Sequence, residues 1–396
     1  MKIPRADIAI DVLVIGSGPA GTSTALHLVQ IDPRWSNRMM VVDAAVHPRD
    51  KLCGGGLTRH GMEVLDRLGL ALPPGHVPVR ELQLKLGRHV YAIRDEPLFR
   101  VVRRNEFDHW LVQCARERGV VIQEGEKVLA VIPEEDGMVV RTSLRTIHAR
   151  AVVAADGSPS FVRQQMGWTG SAQTARLMEV LSSEAACAHS ACFRDGTALF
   201  EFDASGGGLQ GYYWEFPCRV EGQPSINRGL YDSRTHLPGS PAGASMKEIF
   251  VRTLTGRDLD LKKGQLRGHT LRWFDAGGEF SRPGCLLVGD AAGVDPLFGE
   301  GISYALAYGD AAASELAHAF AGEDLTFAGY RRRILHHPVL RHLPRRRALA
   351  RTVYALHRKP WLAGVAWRLA PWYFRWLAWR DAHAIPMARP QICRAS

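Results

Sequence analysis

The feature that most constrains the fold is a glycine-rich turn that follows the first apolar segment. Residues 10–15 form a mostly apolar run that predicts a buried strand, and residues 22–30 form a helical run. The turn between them contains the pattern Gly16-x-Gly18-x-x-Gly21. Gly16 permits a tight turn, Gly18 lets a pyrophosphate approach the backbone, and Gly21 lets the helix pack closely on the strand. The turn therefore predicts a dinucleotide-binding site.

Three further residues complete this motif. Pro19 and Ala20 open the helix, whose N-terminus faces the phosphates. Asp43 closes the next predicted strand, 39–42, where its carboxylate can accept hydrogen bonds from ribose hydroxyls. The pattern is shared by FAD and NAD sites, so it does not by itself identify the dinucleotide.

Two later segments favour FAD. Residues 152–163 form a strand, an Asp-Gly turn and a helix start, and residues 286–302 form a strand, an acidic turn, a loop and a helix start. Asp290 can hold the ribityl hydroxyls of a flavin, and the amides of 299–302 can point at its N1/C2 carbonyl edge, where charge collects on reduction. The cofactor-binding residues predicted from these segments are Asp156, Gly157, Gly289, Asp290, Pro296, Gly299, Gly301 and Ile302.

The order of the segments predicts an α/β protein. We expect a Rossmann-like FAD-binding domain, interrupted by a mainly antiparallel β substrate domain and followed by a helical C-terminal segment. The FAD-binding domain is predicted to be discontinuous, over 1–79, 99–170 and 276–330. The substrate domain is predicted over 80–98 and 171–275, and the C-terminal segment over 331–396.

At these motifs the chain resembles the flavoprotein superfamily of p-hydroxybenzoate hydroxylase, over about residues 8 to 330. Residues 50–57 look like the Lys-x-Cys-Gly-Gly-Gly segment of geranylgeranyl reductases, and residues 212–217 look like that family's Tyr-x-Trp-x-Phe-Pro substrate motif. Arg104-x-x-Phe107-Asp108 also matches, and the family's arginine lies near the flavin. The resemblance implies non-covalent FAD, no metal, and reduction of carbon–carbon double bonds in prenyl chains.

The resemblance also implies roles for residues outside the glycine-rich turn. Around the flavin it places Lys51, Cys53, Gly54, Gly55 and Arg104. In substrate binding it places Tyr212, Trp214, Phe216 and Pro217.

Reduction of an isolated double bond makes two demands on the site. The flavin donates hydride to one carbon only if the other carbon is protonated, so the site must be apolar and hold one acid. Tyr212, Trp214 and Phe216 share one face of a strand, where they can line an apolar tunnel, with Tyr212 and Trp214 as catalytic candidates, or form ordinary sheet core. Cys53 is a candidate proton donor or redox partner, or a small residue packed among glycines.

Other functions on the same fold remain open from the sequence. A flavin-dependent monooxygenase or halogenase acting on a hydrophobic or aromatic substrate is one alternative, and an electron-transfer flavoprotein that reduces membrane quinone is another. No second glycine-rich dinucleotide motif follows a strand, so the electrons come from NAD(P)H that binds transiently or from a reduced redox protein.

The C-terminal segment differs in charge from the rest of the chain. Residues 331–396 hold fifteen Arg and Lys residues against one acid, Asp381, and five tryptophans, Trp361, Trp367, Trp372, Trp376 and Trp379. This composition is typical of a segment at a membrane surface, or of a helical cap that packs on the body. No nucleic-acid motif accompanies the charge, so we expect no nucleic-acid partner.

The seven cysteines indicate the compartment. Their number is odd and no two have C-x-x-C spacing, which argues against a disulfide framework or a zinc site. We therefore expect a cytoplasmic protein, either free or peripheral at the inner face of the membrane.

Overall fold

The computed structural model describes residues 7–168, 173–182, 189–203, 209–235, 245–257 and 266–355, and the backbone of 391–394. The strands, in chain order, are β1 Ile8–Ile15, β2 Met39–Asp43, β3 Gly56–Thr58, β4 Val77–Leu86, β5 His89–Val101, β6 Val121–Glu124, β7 Val128–Glu134, β8 Gly137–Thr142, β9 Thr146–Ala154, β10 Thr174–Ser182, β11 Thr197–Glu201, β12 Gly211–Val220, β13 Gln223–Asp232, β14 Arg267–Arg272, β15 Ser281–Arg282, β16 Cys285–Leu287 and β17 Gln391–Arg394. The α-helices are α1 Pro19–Ile31, α2 Arg59–Arg67, α3 Arg104–Glu117, α4 Phe161–Gln165, α5 Ala191–Arg194, α6 Met246–Thr255, α7 Ile302–Ala321, α8 Tyr330–His336 and α9 Leu343–Ala355.

The first sheet has a parallel centre in the order β16-β9-β1-β2-β6. The antiparallel strands β7 and β8 extend it beside β9, and β15 borders β16. Val12, Leu13 and Val14 of β1 are fully inaccessible to solvent, because β1 has neighbours on both sides and is covered above and below. The predicted buried strand at 10–15 is confirmed.

Helix α1 lies against α7 so closely that the two backbones nearly touch. Gly309 of α7 makes this possible, since a Cβ there would lie 2.5 Å from the Ser23 side chain. The Ser23 hydroxyl donates a hydrogen bond to the Leu306 carbonyl at 2.7 Å. Small side chains at this crossing therefore fix α7 relative to α1, and with it the position of the α7 N-terminus.

The second sheet has the order β14-β10-β13-β12-β11-β4-β5-β17, with β3 beside β5. All its pairs are antiparallel except β11 with β4. The predicted mixture of an α/β domain with a mainly antiparallel β domain is confirmed. The predicted boundaries at 80 and 98 fall inside β4 and β5, at the place where the pairing of these two strands shifts register between Val79 and Glu81.

The C-terminal segment is helical where its side chains are described. Helix α9 packs on the body through Ala350 and Tyr354, which contact Leu297. Arg347 of α9 pairs with Asp275. All five tryptophans of this segment lie outside the described residues. Residues 391–394 form a strand beside β5 rather than helix.

Within the described residues, no helix combines the length and the apolar character that a bilayer crossing requires.

Strands β12 and β13 fit together through one glycine. Trp214 of β12 lies across Gly229 of β13, and a Cβ on Gly229 would lie 2.0 Å from the indole Cζ2 atom. The same Cβ would lie 2.5 Å from the Met178 carbonyl oxygen of β10. The indole therefore occupies the space that any other residue at 229 would fill.

We predict that Gly229→Ala destabilises the protein by about 1 to 3 kcal/mol, because overpacking forces the indole out of its position. The midpoint of thermal unfolding, followed by circular dichroism, should fall accordingly. Gly268→Ala on neighbouring β14 is the matched control, since its Cβ meets nothing closer than the Leu177 carbonyl oxygen at 3.6 Å. Equal midpoints for the two variants would contradict the packing argument.

Candidate active site

A cavity of about 680 Å³ lies between the two sheets. One side is formed by loops at the carboxyl ends of β1, β2, β9 and β16, which contribute Gly16, Asp43, Asp156 and Asp290. In open α/β sheets ligands bind at this edge, because the carboxyl ends of parallel strands and the helix N-termini meet there. The other side is the inner face of the second sheet.

The glycine-rich turn has the geometry that the motif predicts. Gly16 has φ of 107°, and a Cβ there would lie 2.4 Å from the Ala155 carbonyl oxygen. A Cβ on Gly21 would lie 1.9 Å from the Gly16 carbonyl oxygen. Side chains at either position would therefore separate helix α1 from the sheet. Gly18 is the N-cap of α1 and no side chain caps the helix, so its first N–H groups are free for an anion.

Asp43 supports the turn as well as facing the cavity. Its Oδ2 accepts hydrogen bonds from the Ser17 amide and hydroxyl, both at 2.7 Å, and its Oδ1 accepts from the Ala45 amide at 2.8 Å. A carboxylate has about four lone-pair sites, so about one remains for a ribose hydroxyl. Asp43 thus ties the end of β2 to the glycine-rich turn.

The other two acidic turns differ in how they are held. Asp156 accepts from the Ser160 hydroxyl at 2.6 Å and the Val162 amide at 2.9 Å, and burial raises its pKa. Asp290 lies in a 3-10 turn over Gly289–Ala291 and faces the cavity. Gly289 has φ of 58°, which lets the chain turn here directly after β16.

The loop 295–301 is held by an unusual number of side chains. The carboxylate of Asp295 accepts from the amides of Leu297 and Phe298 at 2.9 and 3.0 Å. Three tyrosine hydroxyls donate to successive carbonyls of the loop: Tyr231 to Pro296 at 2.8 Å, Tyr354 to Leu297 at 2.6 Å and Tyr212 to Phe298 at 2.5 Å. These tyrosines come from β13, α9 and β12, so both the second sheet and the C-terminal helix position the loop.

This loop delivers the N-terminus of α7 to the cavity. Gly301 is its N-cap and no side chain caps the helix. The neighbouring Glu300 carboxylate accepts from the Thr58 hydroxyl at 2.5 Å. The N–H groups at Gly301 and Ile302 are therefore available to a ligand on which negative charge develops.

A buried ion-pair cluster lies at the start of α3. Arg104 forms a two-pronged pair with Asp108, with Nε to Oδ1 at 2.7 Å and Nη2 to Oδ2 at 2.8 Å. Arg49 lies 3.3 Å from the same carboxylate, which is fully buried. Two guanidinium groups share one carboxylate, so the cluster presents net positive charge to the cavity.

Lys51 bonds to a histidine that sequence analysis did not identify. Its Nζ lies 2.8 Å from Nε2 of His269, on β14. Burial lowers the pKa of both groups, that of His269 to about 4, with the Lys51 charge as a further cause for His269. His269 is therefore neutral at pH 7 and accepts the hydrogen bond, while Asp290 favours the charge on Lys51.

Cys53 lies in the loop between these two parts of the site. Its Sγ accepts a hydrogen bond from the Gly55 amide at 3.4 Å. Burial raises the pKa of the thiol, and the neighbouring Arg104 guanidinium opposes that shift. The thiol is therefore protonated at neutral pH, as a proton donor must be.

The predicted aromatic face of β12 is present. Tyr212, Trp214 and Phe216 are buried and line the cavity, whereas Tyr213 packs against Phe250 on the opposite face. Gly54 leaves room for Phe216, whose ring atoms would lie 3.0 Å from a Cβ at that position. The polar atoms of the two catalytic candidates are engaged: the Tyr212 hydroxyl bonds to Phe298, and the Trp214 indole N–H donates to Asn227 at 2.8 Å. These bonds favour a role in shaping the cavity for both residues.

The structure brings most of the predicted site residues together. The cavity is lined by Gly16, Gly18, Pro19, Ala20, Asp43, Lys51, Cys53, Gly54, Gly55, Arg104, Asp156, Gly157, Tyr212, Trp214, Phe216, Gly289, Asp290, Gly299, Gly301 and Ile302. Gly21, Pro217 and Pro296 do not line it. Gly21 acts through helix packing, and Pro296 through its carbonyl, which Tyr231 and Ser233 bind.

Several residues of the site carry no sequence motif. His269, Phe200, Tyr231, Phe298 and Arg346 line the cavity, and Glu179 and Asn227 bond to the Cys53 loop behind it. The one available signal was a charged or amide side chain next to apolar residues within a strand, Glu179 between Met178 and Val180 and Asn227 after Ile226.

Comparison with known proteins agrees with this geometry. A family model described as an FAD binding domain matches residues 9–221. Menaquinone reductase of Mycolicibacterium smegmatis is 31% identical over 320 residues, 76% of this chain and 75% of that protein. Digeranylgeranylglycerophospholipid reductase of Picrophilus torridus is 25% identical over 353 residues, 80% of each chain.

Solved structures show how widely the fold is shared. A geranylgeranyl bacteriochlorophyll reductase-like protein from Thermoplasma acidophilum has a TM-score of 0.71 and 18% identity, covering 89% of this chain and 88% of that one. Flavin-dependent halogenases share the fold too, and a kynurenine 3-monooxygenase matches over 39% of this chain. The fold therefore leaves the reaction open.

The residues present fit FAD. Glycines replace side chains where the backbone must approach a pyrophosphate, and two uncapped helix N-termini open on the same cavity. Gly16, Gly18 and Asp43 would hold the adenosine diphosphate part, and Asp290, Gly301 and Ile302 would hold the ribityl chain and the flavin edge. The cofactor is FAD.

We predict that Asp295→Asn weakens FAD binding. The change removes the nearer carboxylate partner of Arg346, at 2.7 Å, so that Glu300 at 3.6 Å remains, and it leaves one oxygen for two loop amides. Removing one partner of such a buried pair costs about 3 kcal/mol, so the loop should lose its order. FAD content after purification, measured by flavin absorbance against protein, should fall.

The adjacent ion pair supplies the control for that experiment. Asp275 pairs with Arg347 on the same helix but is 56% exposed, so Asp275→Asn should cost less than about 1 kcal/mol. Full FAD content in Asp295→Asn would show that the loop does not depend on this carboxylate.

Proposed function

Because the chain belongs to the FAD-binding-domain family of oxidoreductases, we propose that it reduces carbon–carbon double bonds in an isoprenoid or similar hydrophobic lipid chain. The observation that supports this proposal is the cavity, which continues from the residues that would hold FAD into a deep apolar region of the second sheet. That region is lined by Leu82, Leu84, Ile93, Phe99, Leu177, Phe200 and Leu271. An extended hydrocarbon chain has no polar groups that need hydrogen bonds. A lining of apolar side chains has no polar groups that such a chain would leave without partners.

The aromatic side chains give this region a rigid wall. Phe200 contacts Tyr212, Phe216 and Phe298, with ring centroids 4.6, 5.3 and 5.7 Å apart. Edge and tilted contacts of this kind hold the rings in fixed positions. The wall excludes water from the reacting double bond and orients a flexible chain by its shape.

The reaction needs a hydride and a proton at neighbouring carbons. Reduced FAD supplies hydride chemistry, and the residues of the chain must supply the proton. Cys53 holds an S–H group at the boundary between the flavin cradle and the apolar region, and its burial keeps that group protonated. The Tyr212 hydroxyl and the Trp214 indole N–H each donate a hydrogen bond to a carbonyl or amide oxygen of the protein. The Cys53 S–H group makes no such donation to any residue that the structure describes, and its sulfur accepts from the Gly55 amide.

The curated relatives support a lipid substrate. Menaquinone and digeranylgeranylglycerophospholipid both carry isoprenoid chains, and the relatives named for them match over more than three quarters of this chain. The proposal also includes an electron donor, which is NAD(P)H or a reduced redox protein, and a contact of residues 331–396 with the membrane. The length of the lipid chain is a further part of the proposal.

We predict that cells expressing the protein contain lipids heavier by pairs of hydrogen atoms than control cells. Mass comparison of the two lipid extracts would also identify the lipid class. Products heavier by oxygen would indicate a monooxygenase, and quinone reduction without a change in any lipid chain would indicate electron transfer; either result would replace the proposal.

We predict that Cys53→Ala keeps FAD but slows turnover of the lipid by about a hundredfold or more, the usual contribution of a general acid. Cys114→Ala is the matched control, since Cys114 is a buried cysteine of α3 that does not line the cavity. Product formation per flavin, measured for both variants, separates the two cases. Unchanged turnover in Cys53→Ala would remove this thiol from the mechanism.

A further inference from the structure

A buried acid and amide connect the Cys53 loop to the aromatic face. Glu179 of β10 accepts a hydrogen bond from the Cys53 amide at 2.9 Å. Asn227 of β13 donates to the Cys53 carbonyl at 3.1 Å and to the Glu179 carboxylate at 3.4 Å. The other end of the same amide accepts the N–H of Trp214 at 2.8 Å. Both the N–H and the C=O of Cys53 are therefore held by the second sheet.

Neither residue is explained by its strand. Glu179 is 8% exposed and Asn227 is 1% exposed, and both lie on the inner face of the second sheet, where most neighbouring side chains are apolar. An ionised carboxylate at such a place costs free energy unless it has a function or a full set of partners. Its close partners are the two N–H donors above, with Arg103 and Arg267 at longer range.

The charges of Glu179 and Cys53 influence each other. Burial raises the pKa of Glu179 to about 7, against the hydrogen bonds from Asn227 and Cys53. The Glu179 charge adds to burial in raising the pKa of the thiol, while Arg104 and the Gly55 amide lower it. Lys51 is a further cation that interacts with the sulfur.

We propose that Glu179 is the positioning residue of Cys53: its carboxyl group fixes the cysteine turn against the aromatic face and, when ionised, keeps the sulfur in the S–H form. The catalytic consequence rests on the proposed function. When the thiol gives its proton to the alkene carbon, the S–H bond breaks and a thiolate is left between Arg104 and Glu179. Repulsion by the carboxylate then favours the return of a proton from water, which restores the S–H bond.

The proposal predicts the ionisation of Cys53 in Glu179 variants. In Glu179→Gln the carboxylate charge is lost, so the thiol should ionise at lower pH. In Glu179→Asp the charge remains, but the shorter side chain holds it one methylene farther from the thiol. The pH midpoint of thiol ionisation should therefore lie between that of Glu179→Gln and that of the unaltered protein. Glu106→Gln, which removes one exposed acid at the start of α3, should leave the midpoint unchanged.

Alkylation of the holoenzyme by iodoacetamide over a range of pH measures these midpoints. Cleavage after Lys51 and Arg59 releases a peptide, 52–59, whose single cysteine is Cys53, so mass spectrometry reports this thiol alone. Below the midpoint, Glu179→Gln should react on the order of tenfold faster, the change that one pKa unit produces. An unaltered midpoint in Glu179→Gln, or in Glu179→Asp if the first variant does not fold, would overturn the proposal.

A second measurement does not use the thiol. Glu179 binds its proton more tightly in the folded than in the unfolded chain, so stability should fall as pH rises from its ordinary pKa of 4.5 to about 7. Glu179→Gln should remove this part of the dependence of stability on pH, and Glu106→Gln should retain it. Neither experiment requires a lipid product, so failure of the proposed reaction and failure of this inference give different results.

Discussion

The site depends on one fully buried carboxylate, that of Asp295. It binds two amides of its own loop and the Arg346 guanidinium of the C-terminal helix. With that charge satisfied, the loop can present its carbonyls to tyrosines from the second sheet and its end to helix α7. Without it, the Arg346 guanidinium would keep only the more distant Glu300 carboxylate and two backbone amides would lose their partner, which is costly in a low-dielectric interior.

The charged groups of the cavity are kept at its cofactor side. Arg49, Arg104, Lys51 and the acids Asp43, Asp156 and Asp290 come from the first sheet and the loops next to it, whereas the second sheet contributes mainly rings and aliphatic side chains. His269 of the second sheet is one exception, and burial keeps it neutral. Arg346 of the C-terminal helix is another, since its guanidinium lies 5.5 Å from the centroid of the Phe298 ring. This division separates an environment that suits a dianionic pyrophosphate from one that suits a hydrocarbon, within a single cavity.

Most of the residues that the sequence assigned to the cofactor lie together in the cavity, because the requirements of this half of the site are local. A turn such as Gly16 to Gly21 needs particular residues at fixed spacing, and the spacing is visible in the chain. The period of two in β12 likewise predicted that Tyr212, Trp214 and Phe216 share a face. Residues such as Glu179, Asn227 and His269 could not be assigned, because their roles arise from pairing between strands that are far apart in sequence. Arg346 could not be assigned for the same reason. It lies in the C-terminal segment, whose composition favoured a role at a surface.

Three tyrosine hydroxyls, from β12, β13 and α9, bind successive carbonyls of the loop 295–301. The second sheet is therefore not a module that can be exchanged freely between members of the family. A chimaera that kept the cofactor domain of this chain and took the β domain of a relative would have to supply hydroxyls at 212 and 231, in register with residue 354 of the retained helix. Recombination points inside this fold are thus restricted to those that move the three side chains and residues 295–298 as one unit.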